Sequence, residues 1–208
     1  MKWHESKRPA RAAGWLTYLG LLLPALALLG CKSEYQQYVD AELASGETRD
    51  SLILGMRMGQ TKKDFFEHCW QLNKQKLISQ GPGNNRARIE IDRDSTSENS
   101  RAKELLFYGI FDGEDVMRGM DMTYSYTAWA PWNEERHAAA LVEDLRAQYL
   151  RGYPGNDFIE VELPGGERSV LVKIDGNRQI LLYPKNNKDV VVKIEDLNHK
   201  LKEEWEKE

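Results

Sequence analysis

The chain has 208 residues, 41% of them hydrophobic, and carries 29 Lys and Arg against 33 Asp and Glu, a formal charge of −4. An acidic chain without a basic cluster has little to offer a phosphate backbone, which argues against nucleic-acid binding. The same balance argues against electrostatic adhesion to anionic lipid.

The first 31 residues stand apart from the rest. Lys2, Lys7, Arg8 and Arg11 make a positive start, and an apolar run over 12–30 follows, interrupted by Thr17, Tyr18 and Pro24. Gly30 then stands directly before Cys31. Charge, apolar run and small residue in that order form an export signal, so residues 1–30 are predicted to be removed. A spanning helix needs about 20 apolar residues, so an uncleaved anchor with an incidental Cys31 is the alternative. Without residues 1–30, which hold four basic side chains and Glu5, the formal charge falls from −4 to −7.

Leu28-Leu29-Gly30-Cys31 resembles the lipobox of bacterial lipoproteins. That resemblance implies that diacylglycerol alkylates the Cys31 thiol, that the chain is cut before it, and that acyl chains hold the mature protein on the cell envelope. Lys32, where enterobacterial lipoproteins of the inner membrane have Asp, implies the outer membrane. Two or more acyl chains suffice for stable attachment. Lipidation leaves Cys69 as the only free thiol, so stability must come from a packed core rather than a disulfide.

Residues 31–50 are polar and read as a lipidated tether, although Tyr35, Val39 and Leu43 fall at helical spacing. Residues 51–56 are short and apolar, a possible first strand. Thr61 then reads as a helix N-cap, with Asp64 completing a near capping box. The stripe Phe66, Cys69, Trp70, Asn73 and Leu77 reads as its core face, and Gly81-Pro82 as its end. Strands are predicted over 86–92, 105–111 and 116–128, with Asp112-Gly113 as a hairpin turn and a polar insert over 94–100.

A second helix is predicted from Asn133, with Glu134 and Glu135 in its first turn. Its stripe is Ala138, Leu141, Val142, Leu145 and Tyr149, and Gly152 closes it. Strands follow over 157–163, 169–175 and 178–183, turning at 164–166 and at Asp175-Gly176-Asn177. Residues 190–195 add a strand, and Leu197, Leu201 and Trp205 mark a final helix.

The two helices read as copies. Their caps Thr61 and Asn133 are 72 positions apart, as are Pro82-Gly83-Asn84 and Pro154-Gly155-Asn156. At that offset Phe66 matches Ala138 and Trp70 matches Val142. The fold is therefore predicted as α+β: a tandem repeat of a helix plus a three-stranded antiparallel meander, helices on one face of the sheet, and an extra C-terminal helix. The repeats span 51–130 and 131–208.

Gly59-Gln60-Thr61-Lys62-Lys63-Asp64 ahead of a short amphipathic helix and meander strands resembles the outer-membrane lipoproteins of the SmpA/OmlA type. The doubled arrangement is similar to the tandem fold of beta-lactamase-inhibitor proteins.

Chemistry-bearing constellations are sparse. The sequence has no Gly-x-Ser-x-Gly elbow, no phosphate-binding glycine loop and no His-Glu-x-x-His helix, so no catalytic residue, cofactor or metal ligand is assigned. His68, His137 and His199 lack metal-spaced partners and read as surface or boundary side chains. Asp112-Gly113-Glu114-Asp115 lacks the length of a calcium loop and reads as a hairpin tip. Cys69 reads as a small hydrophobe on the core stripe, with a nucleophile as its rival reading.

Aromatic residues crowd one region. Tyr124 and Tyr126 share a strand face with Met120 and Met122, whereas Trp129 falls on the opposite face and Trp132 precedes a helix. Trp129, Trp132 and Tyr126 are the candidate interaction surface. The expectation is a non-enzymatic protein-interaction module, lipid-anchored in the envelope, with an envelope protein as partner. A small-molecule or glycan binder using Trp129 and its tyrosine neighbours is the alternative.

Overall fold

The computed structural model describes residues 33–91, 101–163, 165–166 and 169–205. The leader over 1–30, the lipidation candidate Cys31, the insert over 94–100 and Pro164 lie outside the described residues. Four helices are described: α1 (Glu34–Ala44), α2 (Lys62–Lys74), α3 (Ala138–Gly152) and α4 (Leu197–Trp205). Eight strands form one open sheet: β1 (Ser79–Gln80), β2 (Ala87–Ile91), β3 (Lys103–Phe111), β4 (Met117–Tyr126), β5 (Ile159–Glu162), β6 (Ser169–Asp175), β7 (Arg178–Pro184) and β8 (Asp189–Asp196). The class is α+β, as the sequence indicates. No helix among the described residues is long and apolar enough to cross a membrane.

Every pairing in the sheet is antiparallel, and the order is β1-β2-β3-β4-β8-β7-β6-β5. Each half contributes four consecutive strands: β8 is the added strand predicted over 190–195, and β1 is the one the sequence does not announce. The last strand, β8, lies at the centre and pairs with both β4 and β7. At this seam Gly119 faces Glu195, and a Cβ on Gly119 would come within 2.1 Å of the Ile194 carbonyl oxygen. Only glycine lets the two strands approach so closely.

The helices occupy both faces, which corrects the one-face arrangement. Side chains alternate across a strand, so the core assignments divide the faces. Phe65 and Leu72 of α2 and Leu141, Leu145 and Tyr149 of α3 pack with Leu105, Phe107, Met122, Ile180 and Val192 in the larger core. Val39 of α1 and Leu197 of α4 pack with Val170, Val172 and Ile174 in a smaller core. Ile180 and Leu182 of β7 belong to the first, and Leu181 and Tyr183 to the second.

Helix α1 turns most of the expected tether into folded structure. Ser33 caps it by accepting from the Gln36 N–H at 3.1 Å, and Val39 is 1% exposed. Polar contacts fix it to the β6–β7 hairpin. Tyr38 donates to the Ile174 carbonyl at 3.0 Å, and Glu42 accepts from the Gly176 N–H at 2.9 Å and from Asn156 Nδ2 at 2.7 Å. The same hairpin carries a buried ion cluster. Lys173 donates to Asp175 Oδ1 at 2.9 Å, and Arg178 donates to Asp175 Oδ2 at 3.3 Å and to Ser51 Oγ at 3.1 Å. Such a cluster persists because each charge is met by hydrogen bonds; removing one member leaves another buried and uncompensated.

Three local expectations are corrected. Residues 51–56 form a 3-10 turn at Ile53–Gly55, flanked by a single bridge between Ser51 and Arg57, instead of a strand. Helix α2 keeps its capping box, but it ends at Lys74, ahead of Gly81-Pro82. Lys76 takes the left-handed conformation (φ 59°), and the Leu77 N–H reaches the Leu72 carbonyl at 3.0 Å, closing the helix without a glycine. Asn133 heads a 3-10 turn at Glu134–Arg136, and α3 starts only after His137. The two helices therefore begin 76 positions apart, at Lys62 and Ala138, so the register that matches Phe66 with Ala138 fails: Ala138 is buried and Phe66 is exposed.

Val39→Ala is expected to lower the free energy of unfolding by about 2 kcal/mol, read from the denaturant midpoint. A loss below about 0.5 kcal/mol, the scale of a surface substitution, would mean that α1 is not docked.

Candidate functional site

Helix α2 carries a wider apolar arc than the sheet covers. Phe65 and Leu72 point into the core, and Cys69 is half-buried beside them. One step round the helix, Phe66 and Trp70 remain 50% and 55% exposed, and Leu77, just beyond the helix end, 53%. The predicted core stripe is thus the helix's outward face, a correction for Phe66, Trp70 and Leu77. Exposed large aromatics at i, i+4 are an unusual surface for a soluble face, and contiguous apolar patches mark contact sites.

These side chains form one wall of a groove of about 850 Å³. Tyr108 and Ile110 of β3 and Asp121 of β4 line it opposite, and Ser79, Gln80 and Arg86 at its end. Phe66 meets Tyr108 at 6.3 Å between ring centroids, and Phe65 meets Tyr108 at 5.7 Å, edge to face. Lys74 Nζ sits 3.4 Å above the Trp70 ring, a cation–π contact that fixes the indole. Arg86 Nη1 donates to Asp121 Oδ1 and to Thr123 Oγ1, both at 3.2 Å, so the polar end is preorganised. Asn73 Nδ2 holds the Ile78 carbonyl at 3.1 Å and ties the groove floor to α2. Strand β1 closes the sheet on this side and pairs only with β2.

The residues singled out from sequence are dispersed. Tyr126 is buried, donates to Asp144 and lies under the Arg136 guanidinium at 5.4 Å, so it contributes no surface. Trp129 is half-buried, tilted against His137 at 6.3 Å, with Lys188 Nζ 6.0 Å from its ring. Trp132 alone projects, at 85% exposure. His68 and His137 lie with Nε2 at 2.7 Å and 3.1 Å from the Leu54 and Ala130 carbonyls. His199 Nε2 lies 3.5 Å from Asp112.

Asp112 sits at a tightly bonded hairpin. Burial opposes its charge, but the Val116 and Glu114 N–H groups and the Arg118 guanidinium, at 2.9, 2.9 and 2.7 Å, hold its carboxyl below the ordinary range. Among the described residues no group of three His, Cys, Asp or Glu is placed to hold a metal ion. Burial pushes the Cys69 thiol up to about 11. At neutral pH it is a protonated thiol on the groove wall, a poor nucleophile.

Sequence reasoning missed the groove because it assigned the exposed stripe to the core. The width of the arc was the available signal: Phe65, Phe66, Cys69, Trp70 and Leu72 cover more of the helix than one sheet face can. Compared with known proteins, the chain matches no family model, no curated protein and no solved structure.

Alkylation of Cys69 at pH 8 is expected to run about 100-fold slower in the folded protein than with a free thiol, and to rise only as the pH approaches 11. Rapid alkylation at pH 8 in the folded state would contradict the burial argument.

Proposed function

We propose that the protein is a lipid-anchored envelope protein that acts without catalysis, as a docking module for a protein partner. The observation that carries this reading is the stripe of Phe66, Trp70 and Leu77, left uncovered beside a groove and a sheet edge. Exposed Trp and Phe with Lys74 over the Trp70 ring have the composition of an interface anchor: aromatic centre, charged border. Lys74 beside Trp70, on a chain of net charge −4, favours a partner segment that combines apolar and acidic side chains. The lipobox resemblance supports anchoring through Cys31, with Lys32 directing the protein to the outer membrane.

We also read the two halves as copies, each a helix plus four strands. The order β1-β2-β3-β4-β8-β7-β6-β5 reads alike from either edge, and antiparallel β4 and β8 meet at its middle. A two-fold axis normal to the sheet at that seam exchanges the halves and keeps α2 and α3 on the same face, where both pack.

One observation favours a second reading. A groove of about 850 Å³ with an aromatic wall is within the range of small-ligand sites, so a small molecule or glycan stacking on Trp70 is the rival. Ligand-induced quenching of tryptophan fluorescence that disappears in Trp70→Ala would favour it over a protein partner.

The test is chemical crosslinking in cells, followed by recovery of the protein from membranes. A Phe66→Ser/Trp70→Ser double variant is expected to lose the crosslinked partner at least tenfold with its circular dichroism unchanged, while Trp132→Ser retains it. Equal recovery from the double variant would assign the partner to another surface. Mass spectrometry of the same material is expected to show an acylated N-terminal Cys31; an intact leader would remove the lipid anchor from the proposal.

A further inference from the structure

A second groove, of about 1230 Å³, opens toward the β5 edge of the sheet, on the face that α1 and α4 only partly cover. Its floor is largely apolar: Ile159 and Val161 of β5, Val170 and Val172 of β6, and Leu181 and Tyr183 of β7. Ile159, Val161, Leu181 and Tyr183 are half-exposed there. Glu160, Lys185 and Lys200 supply a charged rim.

The first described residues, Ser33 and Glu34, lie on the lip of this groove. Their position is fixed because α1 is pinned by Val39, Tyr38 and Glu42, and by Tyr35, whose hydroxyl donates to Gln179 Oε1 at 2.5 Å. From Ser33 back to Cys31 the chain has two residue steps, a reach of at most about 7 Å. Whatever Cys31 carries is therefore delivered to the mouth of the groove.

We propose that this groove takes the acyl chains of the lipid on Cys31. The inference rests on the lipoprotein reading above and is independent of the α2 groove. An acyl chain is long, unbranched and wholly apolar, which suits an open trough of Ile, Val and Leu side chains. Its carbonyl end would remain at the polar lip beside Ser33. In the bilayer the chain is covered by lipid; away from it, the trough offers the same exclusion from water, driven by the apolar area removed. The expected property is a lipidated protein that stays dispersed without detergent.

The test uses the full-length protein, processed in cells, purified from membranes in detergent and then freed of it. Light scattering on the eluting protein is expected to give a monomer for the wild type. Val161→Lys, and separately Tyr183→Lys, both at half-exposed positions that spare the buried core, are expected to give large assemblies or a loss of at least tenfold in soluble protein, with unchanged circular dichroism. Intact mass checks the premise first: a chain without acylated Cys31 overturns the lipoprotein reading and this proposal with it. With acylation present, wild-type protein that aggregates as both variants do overturns the groove assignment alone, as do two variants that stay monomeric. A defined wild-type dimer would give the groove to a second copy and overturn the assignment equally.

Discussion

The pairing of β4 with β8 is the constraint on which the rest of the structure depends. It joins two four-strand ribbons into one sheet, and it requires Gly119 at the seam because any side chain would meet the Ile194 carbonyl. A continuous eight-stranded sheet presents more apolar surface than four short helices can cover. Helices α2 and α3 close the main core over Met120, Met122 and Tyr124, and α1 and α4 shield part of the other face. Among the described residues they leave open a groove toward each edge of the sheet, one beside α2 and one over β5–β7. Both proposals above concern that remainder: one partner-facing, one facing the chain's own N-terminus.

The buried ions explain why the second half holds its shape while exposing so much aliphatic surface. Lys173, Asp175 and Arg178 sit where β6 turns into β7, and α1 caps the same hairpin through Glu42 and Asn156. Gly155 shares the site, with a position where a Cβ would lie 2.2 Å from Asp175 Oδ1. The hydrogen bonds among Lys173, Asp175 and Arg178 specify one arrangement of the hairpin, although their net contribution to stability is small. Docking of α1 is what converts a nominal tether into a fixed point that begins three residues after Cys31.

Much of the fold was legible because its signals are local. The Thr61–Asp64 capping box, the alternation in β4 and the strand bounds of β6 all follow from neighbouring residues, and all are present. What was not legible depends on tertiary context. Phe66, Cys69, Trp70 and Leu77 have ideal spacing for a core stripe, yet the core takes Phe65 and Leu72, because a helix with two adjacent apolar lines must expose one. Lys76 ends α2 in a left-handed conformation that nothing in a lysine announces. Tyr126 reads correctly as a core residue by its alternation and incorrectly as surface by its proximity to Trp129 and Trp132. The face taken by α1 and α4 is not marked in β7, where both sides are apolar, Ile180 and Leu182 on one and Leu181 and Tyr183 on the other.

Oxidative footprinting in intact cells, compared with the purified protein, tests the central claim most directly. The account expects Phe66 and Trp70 to be modified readily in the purified protein and at least fivefold less in cells, with Trp132 modified equally in both. Equal modification of Phe66 and Trp70 in the two states would show that nothing covers the α2 stripe where the protein works, and would contradict the account.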